Sequence, residues 1–156
     1  MINPVQEFYG NRLRLRVCGL CTNQDQLLLV NHQLSQAGNL WIPPGGGLEF
    51  GESVTDGLKR EFIEETGLHI EAEEFLFTSE FLQPPLHAIE LFFRVKVVGG
   101  TLKTGRDPEL KESIIREVKF VSWQELATWN PASRHGIFQK INEPSQIMDL
   151  KGYFKL

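Results

Sequence analysis

The stretch "REFIEETG", residues 60–67, decides how this chain is read. It has the composition of a helix, yet it places Glu61, Glu64 and Glu65 within five positions. Helix positions i, i+3 and i+4 share a face, so the three carboxylates crowd together. The question is whether that face looks at solvent or at the core.

The surrounding sequence predicts a helix from about Ser53 to Thr66. Ser53, with Asp56 three residues on, matches a capping box. Gly67 suits the left-handed residue that ends a helix, and the apolar Leu68 follows it. At about 100° per residue, Val54, Leu58 and Phe62 line up as the stripe that meets the core. Glu61 falls close to Val54, Glu65 close to Leu58, and Glu64 at the stripe's edge. Asp56, Lys59 and Ile63 lie on the opposite side. This inverts a plain amphipathic helix, in which glutamates form the solvated face. Buried, uncompensated carboxylates are costly and raise one another's pKa. A cation, or a place at the mouth of a cleft, would keep them ionised. Hard oxygen donors suit Mg²⁺ or Mn²⁺, and no His or Cys in the cluster argues for zinc.

The segment before the helix is "PPGGGLEFGE", residues 43–52. Three glycines in a row let a ligand approach the backbone closely, and a carbonyl there could supply another metal ligand. A tight strand-to-helix turn would use the same residues. Gly57 inside the helix disfavours it by ~1 kcal/mol relative to Ala. That predicts close packing or substrate clearance at this position. "LWIPPGGGLEFGES" as a whole is too rich in Pro and Gly to predict regular structure.

Elsewhere the pattern alternates strand and turn. "RLRLRVCGLCT" and "LLLVNH" predict a hairpin about "NQDQ". "EFLFTSEFL" and "AIELFFRVKVV" predict two strands joined by "QPPLH", and "EVKFVSW" another. "GGTLKTGRDPELKES" reads as a long polar loop. "SWQELAT" predicts a short helix, and "NPASRHGIFQKI" a second one begun by Pro131. "DLKGYFKL" either adds a strand or packs. Strands on both sides of a central helix predict an α/β fold, a mixed sheet between helices.

The chain has 156 residues, enough for a single domain spanning 1–156. Its hydrophobic share is 41% and its net charge −4, which offers no basic patch for nucleic acid. No apolar run reaches the ~20 residues of a membrane helix, and the N-terminus lacks a signal peptide's apolar centre. A cytoplasmic protein is expected. Cys18 and Cys21 stand three apart in a predicted strand and so point to opposite faces. That is a poor arrangement for a shared metal.

From Gly46 the chain reads G-x5-E-x7-REU-x-EE-x-G-U, with U a bulky apolar residue. The matches are Gly46, Glu52, Arg60, Glu61, Phe62, Glu64, Glu65, Gly67 and Leu68. This resembles the complete box of the Nudix hydrolase family. The resemblance implies an α/β/α sandwich and Mg²⁺- or Mn²⁺-dependent hydrolysis of a nucleoside diphosphate linked to another group. It implies Glu61, Glu64, Glu65 and the Gly45 carbonyl as metal ligands, Arg60 as their organiser and Glu52 as support. Gly46 and Gly47 would meet the substrate. Family members take the general base either from the box, here Glu61, or from a later loop. In "RDPELKES" the first candidate is Glu112 and the second Glu109, with Asp107 also present. Pro84, 16 residues beyond Leu68, resembles a mark of the ADP-ribose pyrophosphatase group, although "QPP" also makes a good turn. ADP-ribose or a related nucleotide sugar is thus the first substrate expected. A nucleoside triphosphate is the second and a dinucleoside polyphosphate the third. A homodimer would fit the family. Isopentenyl diphosphate isomerisation needs a cysteine beyond the box, and both cysteines precede it. A non-catalytic nucleotide sensor is the remaining rival.

Overall fold

A computed structural model describes residues 4–33, 38–105 and 115–156. A short helix, α1 (Pro4–Tyr9), leads into β1 (Arg12–Asn23) and β2 (Gln26–Gln33). These form the predicted hairpin, with Thr22 opposite Leu27 and Asn23 opposite Gln26. Next come β3 (Asn39–Ile42), β4 (Gly45–Gly47), the central helix α2 (Val54–Thr66), β5 (Leu68–Gln83) and β6 (Leu86–Gly100). After the polar loop follow β7 (Ile115–Ser122), α3 (Trp123–Thr128), three 3₁₀ turns and β8 (Gly152–Lys155).

The eight strands form one sheet in the order β3-β2-β1-β6-β5-β8, with β4 also on β1 and β7 also on β2. β1 runs parallel to β6 and β5 parallel to β8, while the other pairs are antiparallel. The sheet is therefore mixed, as expected, and the C-terminal tail does add a strand.

Both faces of the sheet are covered. Along β2, Leu27 and Leu29 join a core with Phe77, Phe92, Leu126, Ile137 and Ile147, under α3 and the 3₁₀ turns. Leu28 and Val30 join the other core, with Leu58 and Phe62 of α2. This is the period-2 alternation of a strand buried on both sides. Cys18 belongs to the first core and Cys21 to the second, so the two thiols do point apart. Both are free and buried.

Two local expectations are corrected. "LWIPPGGG" holds two short strands rather than irregular chain. The glycines of β4 pair with β1, Gly45 opposite Cys18 and Gly47 opposite Arg16. A side chain would not fit there, because a Cβ on Gly45 would lie 2.1 Å from the Val17 carbonyl oxygen. "NPASRHGIFQKI" is not one helix but two 3₁₀ turns, Pro131–Ser133 and Gly136–Lys140. Between them Arg134 is drawn out beside Trp41 in a parallel bridge, and the His135 N–H donates to the Trp41 carbonyl at 2.9 Å. Those tertiary bonds override the local preference for helix. Among the described residues no helix is long and apolar enough to cross a membrane.

Candidate active site

The central helix is fixed at both ends. Ser53 Oγ accepts the Asp56 N–H at 3.1 Å. Gly67, at φ 74°, sends its N–H back to the Ile63 carbonyl. The first residues after β6 then cap the helix further. Lys103 N–H donates to the Thr66 carbonyl and Gly105 N–H to the Glu65 carbonyl, each at 2.9 Å. Carbonyls left open at a helix end are thereby satisfied, and the start of the polar loop is tied to the turn that carries Glu64 and Glu65.

The glutamates point where the helical wheel places them. Leu58 and Phe62 are fully buried, and beside them Glu61 is only 7% and Glu65 4% exposed, against 45% for Ile63. Burial, and then the nearby Glu65 charge, push the Glu61 carboxyl up to about 8, although Arg60 pulls the other way. Gly46 leaves room for that carboxyl, since a Cβ there would lie 2.4 Å from it. Gly57 is a packing glycine, its missing Cβ position 2.5 Å from Leu48 and 2.9 Å from Glu52.

Arg60 organises the site. Its Nε and Nη2 donate to the two oxygens of Glu52 at 3.1 and 2.7 Å. Nη2 also donates to the Gly47 carbonyl at 3.0 Å. Nη1 reaches Glu61 at 2.9 Å and Glu64 at 3.2 Å. The paired bonds from Arg60 hold the Glu52 carboxyl below its usual range. Glu65 is anchored differently. Its Oε1 accepts the Gly45 N–H at 3.2 Å, while Oε2 is buried with no hydrogen-bond partner among the described residues.

A hard divalent cation fits these residues. Two buried carboxylates lie close enough to repel, and one of their oxygens is left without a hydrogen bond among the described residues. A cation there would satisfy both. Among the described residues no three His, Cys, Asp or Glu side chains form a ready-made cage. Arg60 spans Glu61 and Glu64 instead. Gly45 adjoins the site through its amide.

A cavity of about 520 Å³ is lined by Arg14, Arg16, Phe81, Glu90, His135 and Gln139 among others, and by none of the glutamates of the cluster. Arg16 connects the two places, because its backbone pairs with Gly47 and its side chain lines the cavity. At the cavity floor Glu90 is buried and fully engaged. It accepts from His135 Nε2 at 2.7 Å and Ser79 Oγ at 3.3 Å, faces Arg16 Nη1 at 3.4 Å and accepts from the Cys18 thiol at 3.7 Å.

The family model described as NUDIX domain matches residues 12–140. The chain belongs to the Nudix family. It is 33% identical over 103 residues to the human 8-oxo-dGDP phosphatase NUDT18, covering 63% of this chain and 31% of that protein. It is 33% identical over 98 residues to the ADP-ribose pyrophosphatase of Methanocaldococcus jannaschii, covering 62% of this chain and 58% of that protein. The chain thus spans less than two thirds of the length of these relatives. A solved Nudix hydrolase from Nitrosomonas europaea superposes with a TM-score of 0.70 at 21% identity, over 83% of this chain and 85% of that one. That likeness shows the Nudix fold.

The remaining residues singled out in the sequence fall as follows. Pro84 sits exposed in the turn between β5 and β6, apart from the carboxylates, although its neighbour Gln83 lines the cavity. Asp107, Glu109 and Glu112 lie outside the described residues. Two groups went unnoticed in the sequence. His32 ends a run read only as apolar strand. Glu90 stands between Ala88 and Phe92, both buried, so the rule that exposed the helix glutamates would have found it: a carboxylate in phase with the core.

Proposed function

We propose that this Nudix chain hydrolyses the phosphoanhydride linkage of a nucleoside diphosphate derivative, with ADP-ribose or a related nucleotide sugar as the first substrate. The observation that carries the proposal is the buried pair Glu61 and Glu65. Arg60 bonds to Glu61 and the Gly45 amide to Glu65, and Arg16, whose backbone pairs with Gly47, lines a cavity of about 520 Å³. A cavity of this size is in the range that holds a nucleoside. A relative named for ADP-ribose is 33% identical over 98 residues, which supports this reading.

Glu61, Glu64, Glu65 and the Gly45 carbonyl would hold Mg²⁺ or Mn²⁺. When bound, such an ion neutralises the pyrophosphate, polarises a phosphoryl oxygen and acidifies a water. Arg60 and Glu52 hold the glutamates in register. Gly46 and Gly47 let the diphosphate come close to the backbone. Arg16 extends positive charge from the cavity towards the diphosphate. The proton of the attacking water goes to a carboxylate. Glu61, within the box, is one acceptor. Glu112, with Glu109 second, is the other, on a loop whose first residues are bonded to the end of α2.

The test is the purified chain with Mg²⁺ or Mn²⁺ and a substrate panel. Conversion of ADP-ribose to AMP and ribose 5-phosphate is the expected result. Release of pyrophosphate from a nucleoside triphosphate would move the substrate to the second reading. No turnover of any nucleotide would leave a sensor and end the proposal.

A further inference from the structure

Two buried polar atoms on different elements face each other without hydrogen-bond partners. His32 Nε2, from β2, lies 3.6 Å from Glu65 Oε2, and the two side chains are 10% and 5% exposed. Among the described residues neither atom has a hydrogen-bond partner, although each lies within ion-pair distance of the other. Buried polar groups left unpaired are rare and call for an explanation. A direct hydrogen bond does not provide one, because 3.6 Å is too long. Nor does a bridging water, which would hold the two atoms roughly 4.5 Å apart.

One metal ion does. Two neighbouring donors, each about 2.1–2.2 Å from a shared ion, stand roughly 3.0 Å apart at a right angle and about 3.6 Å apart when the angle opens to roughly 110°, the upper end of the range. Glu65 has one oxygen to offer, since Oε1 already accepts the Gly45 N–H. The free oxygen is the one His32 faces.

We propose that His32 is a ligand of the divalent cation held by Glu65, so that an imidazole nitrogen enters an otherwise all-oxygen site. This rests on the reading of the glutamates as a metal site. Its consequence is selectivity. Oxygen ligands alone suit Mg²⁺ and Mn²⁺ alike, whereas an imidazole nitrogen is a better ligand for Mn²⁺ than for Mg²⁺ and better still for zinc or iron. The site should therefore prefer Mn²⁺ to Mg²⁺ more strongly than an oxygen cage would, and the preference should depend on one side chain.

The test reads binding rather than turnover. Mn²⁺ is titrated into the full chain, its free fraction is followed by electron paramagnetic resonance, and the bound ion is probed for coupling to a directly attached ¹⁴N nucleus. The wild-type chain should show that coupling. His32→Gln should lose it, bind Mn²⁺ roughly 10–100-fold more weakly and show a smaller Mn²⁺-over-Mg²⁺ preference. No ¹⁴N coupling in the wild type, or coupling that survives His32→Gln, overturns the proposal. Glu65→Gln separates this from the reading beneath it. If that variant still binds Mn²⁺ as the wild type does, the carboxylate site itself is misassigned. If it loses Mn²⁺ while the wild type lacks the nitrogen signal, only the role of His32 falls. The wild-type measurement decides even where His32→Gln does not fold.

Discussion

Glu65 is the residue on which most of the site converges. It is nearly buried, one oxygen takes the Gly45 amide and the other, 3.6 Å from His32, has no hydrogen-bond partner among the described residues. Glu65→Gln keeps the shape and the amide contact but removes the charge that attracts a cation. The expected outcome is a fall in metal-dependent turnover of at least about 10²-fold, the scale of losing a preorganised electrostatic contact. The far-ultraviolet circular dichroism should stay native, since relieving Glu61 of a like charge does not harm the helix. A fully active variant with wild-type metal affinity would remove Glu65 from the mechanism. At this scale the sequence was legible where the helical period could be applied. The helical period alone puts Glu61 and Glu65 in phase with Leu58 and Phe62. His32 was not legible, because its significance lies in a distance to an element 33 positions away in the chain.

At the scale of elements, legibility followed the source of the structural information. α2 carries its own start, its stop and its apolar stripe in its sequence, although of the expected capping box only the Asp56 N–H to Ser53 Oγ bond is formed. β4 and the C-terminal turns take their form from partners elsewhere, Val17 and Cys18 for the glycines, Trp41 for Arg134 and His135. Composition alone pointed to loop in one case and helix in the other. The contact between β4 and α2 also makes a prediction. Gly46 is close enough to Glu61 that a Cβ would lie 2.4 Å from the carboxyl carbon. In Gly46→Ala the carboxyl must give way, and Arg60 bonded to it must follow. Displacement of a reacting group by about 1 Å can cost 10²-fold in rate. Stability should change by only about 1 kcal/mol, because the alanine also restricts the unfolded chain. Steady-state kinetics beside urea unfolding would show the split. Equal losses in both would mean that Gly46 serves packing alone.

The whole molecule is tied together beneath the cavity by Glu90. The carboxylate joins β6 to Arg16 and Cys18 of β1, Ser79 of β5 and His135 of the C-terminal segment. Burial pushes its pKa up, but His135, Arg16 and Ser79 together outweigh that and hold it at about 2. A carboxyl whose folded pKa lies below its unfolded value contributes stability that is fully present above the unfolded pKa. That stability is lost as pH falls through the folded one. For Glu90 the window runs from the ordinary value of 4.5 down to about 2. Glu52, Glu74 and Glu80, also held low, add to the same acid limb from the surface. Glu90→Gln should therefore do two things. It should cost about 3–5 kcal/mol at pH 7, the scale of leaving buried partners uncompensated. It should also make the remaining stability fall less steeply between pH 4.5 and 2, by the share that Glu90 supplied. Thermal unfolding of both proteins from pH 2 to 7 measures the two effects together. Parallel acid limbs in wild type and variant would show that the carboxylate holds no extra charge stabilisation in the folded state. The cluster would then act only through its hydrogen bonds.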